Sequence, residues 1–348
     1  MCIRAGSAAL RSLIHSVAHG FFKTHQVTHM FDSFQRLRSH GSLAAVSAAL
    51  LIGLAPFTSA FADAGPPEVP GAKAALAARH ADVSVGPQYD TTHVYVASAD
   101  LDAFVNSFIA TFGGKASPRA VFTVTPTPSR TASQYVQTPV GMLSVFGFET
   151  PVPYPFGNER TGYLVTNLGE AVKAARAAGA DVLVDSFDDP IGKDAIIQWP
   201  GGLTMQLYWH TKAPNYAPLQ SVPDNRVYVS RYEADNFVRR WLHFSHGKVL
   251  SDNAHADAGV IGRPGETIRE IRLTSGFGRM VVFVTDGKLP FPFGRETTGY
   301  AVDDLAQTLQ RAQGAGAKVL YAPYATAAGK TAVLEFPGGY IAEVHDGR

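Results

Sequence analysis

One phrase is written twice in this chain. PFGNERTGY, from Pro155 to Tyr163, returns as PFGRETTGY, from Pro292 to Tyr300. The agreement continues without a gap through AARAAGADVLV and QRAQGAGAKVLY to WPGGLTMQLYW and FPGGYIAEVHD. At a shift of 137 residues, 21 of the 55 positions from Pro155 to Trp209 are identical. A weaker match lies upstream, where the segment from His93 to Lys115 repeats from Arg226 to Lys248 with 8 identities in 23 positions. Self-similarity at a fixed shift constrains the fold more than composition does, because both copies must adopt one architecture. It also allows each polar residue to be compared with its internal counterpart.

Within each copy the hydrophobic period changes twice between strand and helix. The first unit opens on the alternating strand HVYVA. Leu101, Phe104, Val105, Phe108, Ile109 and Phe112 then follow i, i+3, i+4 spacing, one apolar stripe of a helix stopped by Gly113 and Gly114. VFTVTPT, SQYVQT and MLSVFGF read as three short strands. The second unit repeats the order with GYLV, a helix from Leu168 to Ala178 ended by Gly179, and the strands DVLVDSF, AIIQW and LTMQLYW. The expectation is an α+β fold of four β-α-β-β-β modules. WPGG and FPGG connect strands as turns with Pro second and Gly third. Neither precedes a helix, which removes a phosphate-cradle reading.

The first 62 residues stand apart. Arg36 and Arg38 precede an apolar run from Leu43 to Phe57, followed by Ala60-Phe61-Ala62, which reads as a secretory signal peptide cleaved before Asp63, with Met30 as an alternative start. The apolar run is shorter than the roughly 20 residues that span a bilayer. The chain without this leader keeps 25 basic and 28 acidic residues and no cysteine, since Cys2 is the only one. That balance gives no electrostatic footprint for nucleic acid or an anionic membrane. Residues 63–87 are rich in Pro, Gly and Ala and read as a flexible tether, and 213–221 as a Pro-rich linker. The domains are placed at 88–212 and 222–348, in a periplasmic or secreted protein.

The opening strand on His93, the ADLDAF helix start, the AAGA helix end and the closing WPGGLTMQLYW and FPGGYIAEVHD strands together resemble the vicinal oxygen chelate superfamily, which includes glyoxalase I, bleomycin-resistance proteins and extradiol dioxygenases. The resemblance covers residues 90–346 and implies two glyoxalase-like domains, each an open cup of two βαβββ modules. It implies a small organic ligand, often with one divalent metal such as Ni, Zn, Fe or Mn bound by His and Glu on opening and closing strands. Carried over residue by residue, the opening positions are His93, Arg160, Arg226 and Thr297, and the closing positions are Val145, Gln206, Val282 and Glu343. His93 and Glu343 are the metal-ligand candidates and Gln206 is a weak one. If the first module pairs with the fourth, His93 and Glu343 share a cup with Thr297. If consecutive modules pair, His93 faces Gln206 and Arg160, while Glu343 faces Arg226.

Glu159 and Glu296, present in both copies of the phrase, are candidates for a general base or a ligand contact at the cup rim, against a structural role capping the turn. Arg160, Gln206, Arg226, Tyr163 and Tyr300 are the ligand-binding candidates, although aromatic residues on such strands ordinarily pack between sheet and helix. His210 and His345 flank the closing strands as rim residues. The function expected is a glyoxalase-like small-molecule-binding protein, capable of lyase or dioxygenase chemistry if it recruits a metal. The alternative is metal-free sequestration of the bleomycin-resistance type.

Overall fold

The computed structural model describes residues 82–347, which belong to one compact body. The leader at 1–62 and most of the 63–87 tether lie outside the described residues.

The β-α-β-β-β order occurs four times. The first module comprises β1 (Thr91–Tyr95), α1 (Leu101–Phe112), two short pieces β2 (Lys115–Ala116) and β3 (Ala120–Phe122), β4 (Thr131–Thr138) and β5 (Gly141–Phe148). The second comprises β6 (Thr161–Leu164), α2 (Leu168–Ala178), β7 (Asp181–Asp189), β8 (Gly192–Gln198) and β9 (Thr204–His210). The third comprises β10 (Asp224–Ser230), α3 (Ala234–Ser245), β11 (Lys248–Asp257), β12 (Thr267–Ser275) and β13 (Gly278–Thr285). The fourth comprises β14 (Thr297–Ala301), α4 (Leu305–Gly314), β15 (Lys318–Ala325), β16 (Lys330–Glu335) and β17 (Ile341–His345). Local chemistry sets the helix limits. Asn167 caps α2 by accepting from the Glu170 N–H, and Gly179 stops it at φ 93°.

Consecutive modules pair. The first sheet runs β2-β4-β5-β1-β6-β9-β8-β7 with β3 on β4, and the second runs β11-β12-β13-β10-β14-β17-β16-β15. In each, the opening strands of two modules lie antiparallel at the centre, and each runs parallel to its own closing strand. His93 and Glu343 therefore lie on different sheets, and the arrangement that gave them a common cup does not occur.

Alternation divides every strand between two faces. One face of each sheet carries the helices and packs against the other sheet. Tyr163, Trp199, Trp241, Phe244 and Phe277 form one core that joins the second and third modules. Phe104, Phe108, Phe112, Tyr300 and Phe336 belong to a second core that joins the first and fourth. Helix-end hydrogen bonds stitch the same pairs, from Arg240 Nη1 to the Ala178 carbonyl (3.1 Å) and from Arg311 Nε to the Thr111 carbonyl (2.9 Å). The cups are the opposite faces.

The described end of the tether is docked. Ser84 bridges Val165, Val85 N donates to the Leu164 carbonyl at 3.2 Å, and Val83 is buried. The alternating D-V-S-V at 82–85 is a strand signal. Pro and Gly richness on either side masks it.

Candidate functional site

The two cups have diverged. In the first, apolar and aromatic side chains crowd the concave face. Phe156, Phe187 and Ile196 form a buried cluster with Leu183 and Val184 packed against it, and Tyr95 stacks on Phe146 and Phe148 at 5.2 and 6.3 Å. Glu159, fully buried, accepts a hydrogen bond from the Tyr95 hydroxyl and lies 3.8 Å from His93 Nδ1. Glu159 is therefore neither at an open rim nor capping a turn. Burial raises the Tyr95 hydroxyl well above its ordinary value, and the Glu159 charge beside it raises it further.

In the second domain the cup encloses a cavity of about 500 Å3, lined by Arg226, Glu270, Arg272, Thr331, Glu343 and His345 together with apolar Leu250, Val260 and Val281. That volume lies within the range of ordinary small-molecule sites. The centre of the polar floor is Glu343. Its Oε1 lies 3.7 Å from Arg226 Nη1 and accepts a hydrogen bond from the Thr331 hydroxyl, and its Oε2 is 2.9 Å from His345 Nδ1. Burial alone would push this carboxyl up. The Arg226 guanidinium, His345 and the Thr331 hydroxyl outweigh burial and hold it down at about 2. Arg226 also stacks over Phe283, with Cζ 4.8 Å from the ring centroid. At the cavity wall Arg272 Nε bonds Glu270 at 2.7 Å and Arg279 Nε bonds Asp224 at 2.6 Å.

The repeated phrase contributes a glycine to each cup for a stated reason. A Cβ on Gly299 would stand 2.6 Å from Glu343 Oε2 and 2.9 Å from Arg226 Cδ, and one on Gly162 would stand 2.5 Å from His93 Nε2. The strand position opposite each closing strand must carry no side chain for the cup residue to fit.

Of the ligand-binding candidates, Arg226 lies in the second cup. Gln206 faces the first, since it pairs with Gly162 across β6 and β9. Tyr163 and Tyr300 do not face a cup. They are 2% and 0% exposed in the cores between the sheets, where Tyr163 Oη accepts from Asn225 Nδ2 at 3.1 Å and the Tyr300 and Tyr340 hydroxyls lie 2.9 Å apart. The closing positions Val145 and Val282 also face the cores. Register places Ser144 beside His93 and Val281 beside Arg226 as the cup-facing residues. His345, taken from the sequence as a rim residue, lies on the floor, two positions beyond Glu343 and so on the same face.

The residues present do not fit a resident divalent ion. Among the described residues no three His, Cys, Asp or Glu groups converge to hold one. In the second cup, Arg226 stands at the opening-strand position and places its own cation against Glu343. In the first cup, His93 lies beside Glu159, and Asp194, its carboxyl raised by burial and by the charges of Asp189 and Glu159, shares the face, but no three of these groups converge on one point.

No protein-family model and no curated protein sequence matches the chain. Solved structures do. A triple mutant of 4-hydroxymandelate synthase from Streptomyces coelicolor aligns over 77% of this chain and 94% of its own, at 13% identity and a TM-score of 0.52. The Mn(II)-bound glyoxalase from Novosphingobium aromaticivorans aligns over 74% and 80%, at 14% identity and a TM-score of 0.44. The 2,2',3-trihydroxybiphenyl 1,2-dioxygenase from Sphingomonas wittichii aligns over 77% and 91%, at 13% identity and a TM-score of 0.46.

Proposed function

Since the chain carries the vicinal oxygen chelate fold in tandem, we propose that it binds a small organic molecule in the cup of the second domain and does so without a resident metal. The observation that carries this reading is the contrast between the cups: one is packed with its own aromatic side chains, while the other keeps a cavity of about 500 Å3 over a buried Arg226–Glu343–His345 cluster.

The polar floor defines the ligand. Arg226 offers guanidinium donors to an oxyanion or carbonyl oxygen, while Leu250, Val260 and Val281 offer apolar contact. Glu343, held anionic, fixes the His345 Nδ1 proton toward itself. Proton exchange with a ligand then falls to Nε2, so metal-independent proton transfer is the chemistry these residues can perform. The enzyme version of the reading, with lyase or dioxygenase chemistry on a recruited divalent ion, is the competing outcome.

The reading includes export, with the leader removed before Asp63, and mass determination of the protein recovered from cells would find that N-terminus. Among the described residues no helix is long and apolar enough to cross a membrane.

A thermal-shift panel of small aromatic and aliphatic carbonyl or carboxylate compounds tests the site. A ligand at 100 times its Kd raises stability by about 2.7 kcal/mol. Ala328→Trp, which adds bulk from an exposed position on the cavity wall, should remove the shift and leave the fold intact. Near-stoichiometric retention of Ni, Zn, Fe or Mn after incubation and dialysis would overturn the metal-free reading.

A further inference from the structure

The repeated phrase has work outside the second cup. Its two copies converge beside a chamber of about 70 Å3, lined by Thr92 and His93 of β1, Arg160 from the first copy, and Arg295, Glu296 and Thr297 from the second. A water needs about 10–15 Å3 on this scale, so the chamber has room for about five waters or one molecule of a few heavy atoms.

Three features of its wall point to a ligand. First, no described carboxylate forms an ion pair with Arg160 or Arg295. The one contact recorded for the Arg295 guanidinium is the Phe291 ring, 5.8 Å from Cζ. Second, the buried Oε1 of Glu296 has no hydrogen-bond partner, and His93, 1% exposed, makes none through Nδ1, which has only Glu159 Oε1 near it at 3.8 Å. A buried polar atom without a partner is costly unless a ligand or water satisfies it. Third, burial raises the Glu296 carboxyl to about 7, against the opposing effects of Asn225 and Arg160 and with the help of Glu159. Near neutral pH the wall thus presents two guanidinium groups against a carboxyl that is only half ionised.

We propose that this chamber is a second binding site, distinct from the cup, for a small carboxylate of formate or acetate size held by Arg160 and Arg295. Planar guanidinium forks match planar carboxylates better than they match a spherical halide, and the volume suits an acid of that size. Thr297 and His93 also line the chamber, and Glu296 opposes the anion when ionised and favours it when protonated. Besides the two arginines, the groups facing Glu296 are Glu159, Asn225 and Tyr163, and His93, Tyr95 and Tyr340 also line the chamber. The wall draws on the first module, the entry to the second, and the fourth, so its occupant would bridge the two sheets.

The test uses the full chain in a carboxylate-free buffer, titrated with sodium formate, sodium acetate and sodium chloride at constant ionic strength, and read by calorimetry and thermal shift. Formate or acetate should bind saturably and chloride at least tenfold more weakly. Arg160→Gln and Arg295→Gln should each weaken carboxylate binding about tenfold or more, and Arg295, being exposed, serves if the Arg160 variant does not fold. Wild-type affinity should rise between pH 8 and pH 6, and Glu296→Gln should flatten that rise. Ala328→Trp, which fills the other cavity, should leave it unchanged. Equal, unsaturable responses to all three salts would overturn the proposal. So would wild-type affinity in Arg295→Gln, or loss of carboxylate binding in Ala328→Trp.

Discussion

Arg226 Nη1 lies 3.7 Å from Glu343 Oε1, and both side chains are less than a tenth exposed. Each charge is out of water and each compensates the other. Removing one partner leaves the other buried and unpaired, which costs about 3–5 kcal/mol in such pairs. Arg226→Met and Glu343→Gln should each destabilise by that order in urea unfolding, and the double variant by less than the sum. Strict additivity would mean the two residues do not act as a pair.

Gly299 is constrained by the same cluster. A methyl there must displace either the Glu343 carboxylate, fixed by three partners, or the Arg226 Cδ. Gly299→Ala should cost about 1–3 kcal/mol and weaken ligand binding in the cup. Gly314→Ala is the control. It lies at the last position of α4 with nothing within 4 Å of the added Cβ, so replacement there should be neutral or stabilising by up to about 1 kcal/mol. Equal costs at both sites, from equilibrium unfolding, would separate the glycine from the ion pair.

The module order was readable because helix and strand periods are local and the repeat exposed them twice. The apolar stripe from Leu101 to Phe112 is buried as spaced, with Ile109 only partly covered. The pairing of Arg226 with Glu343 was also within reach, as one of two alternatives. What local pattern could not fix was the face. A strand alternates every residue, so a slip of one exchanges cup for core. Val145 and Val282 were misplaced in this way, and Ser144 and Val281 are the residues that face the cups. Tyr163 and Tyr300 were ambiguous for a different reason. Their partners Trp241 and Phe108 lie in the other domain, and nothing local in the sequence announces packing between the two sheets.

Two carboxyls should shape the pH dependence of stability in opposite directions. Glu343 is held at about 2 against an ordinary 4.5, so the folded state binds fewer protons than the unfolded one in that window. Its contribution is complete above 4.5, is lost as pH falls toward 2, and amounts to at most about 3 kcal/mol. Glu296 is raised to about 7, so the folded state holds the extra proton between 4.5 and 7 and stability falls as pH rises through that window. Its side chain is partly exposed, which reduces the effect to roughly 1–2 kcal/mol. Unfolding free energies measured from pH 3 to pH 8 should lose the acid limb in Glu343→Gln and the neutral limb in Glu296→Gln. Unchanged limbs would show that these carboxyls titrate as in the unfolded chain.

The two domains should unfold as one. Trp241 of α3, 2% exposed, packs its ring against Trp199 and Tyr163 of the first domain, at centroid distances of 5.7 and 5.5 Å, and against Phe244 and Phe277 of its own. Phe108 of α1 packs in the same way on Tyr300 and Phe336 of the fourth module, at 5.4 and 5.2 Å. Each half therefore leaves an aromatic helical face unburied without the other. Trp241→Ala should cost about 3–5 kcal/mol, and because the core is shared the loss should lower a single calorimetric transition. Fragments 88–212 and 222–348 expressed separately should be unfolded or self-associated. A variant that shows two transitions, with only the second-domain one shifted, would mean the domains are stable alone and the shared cores are a contact between finished folds.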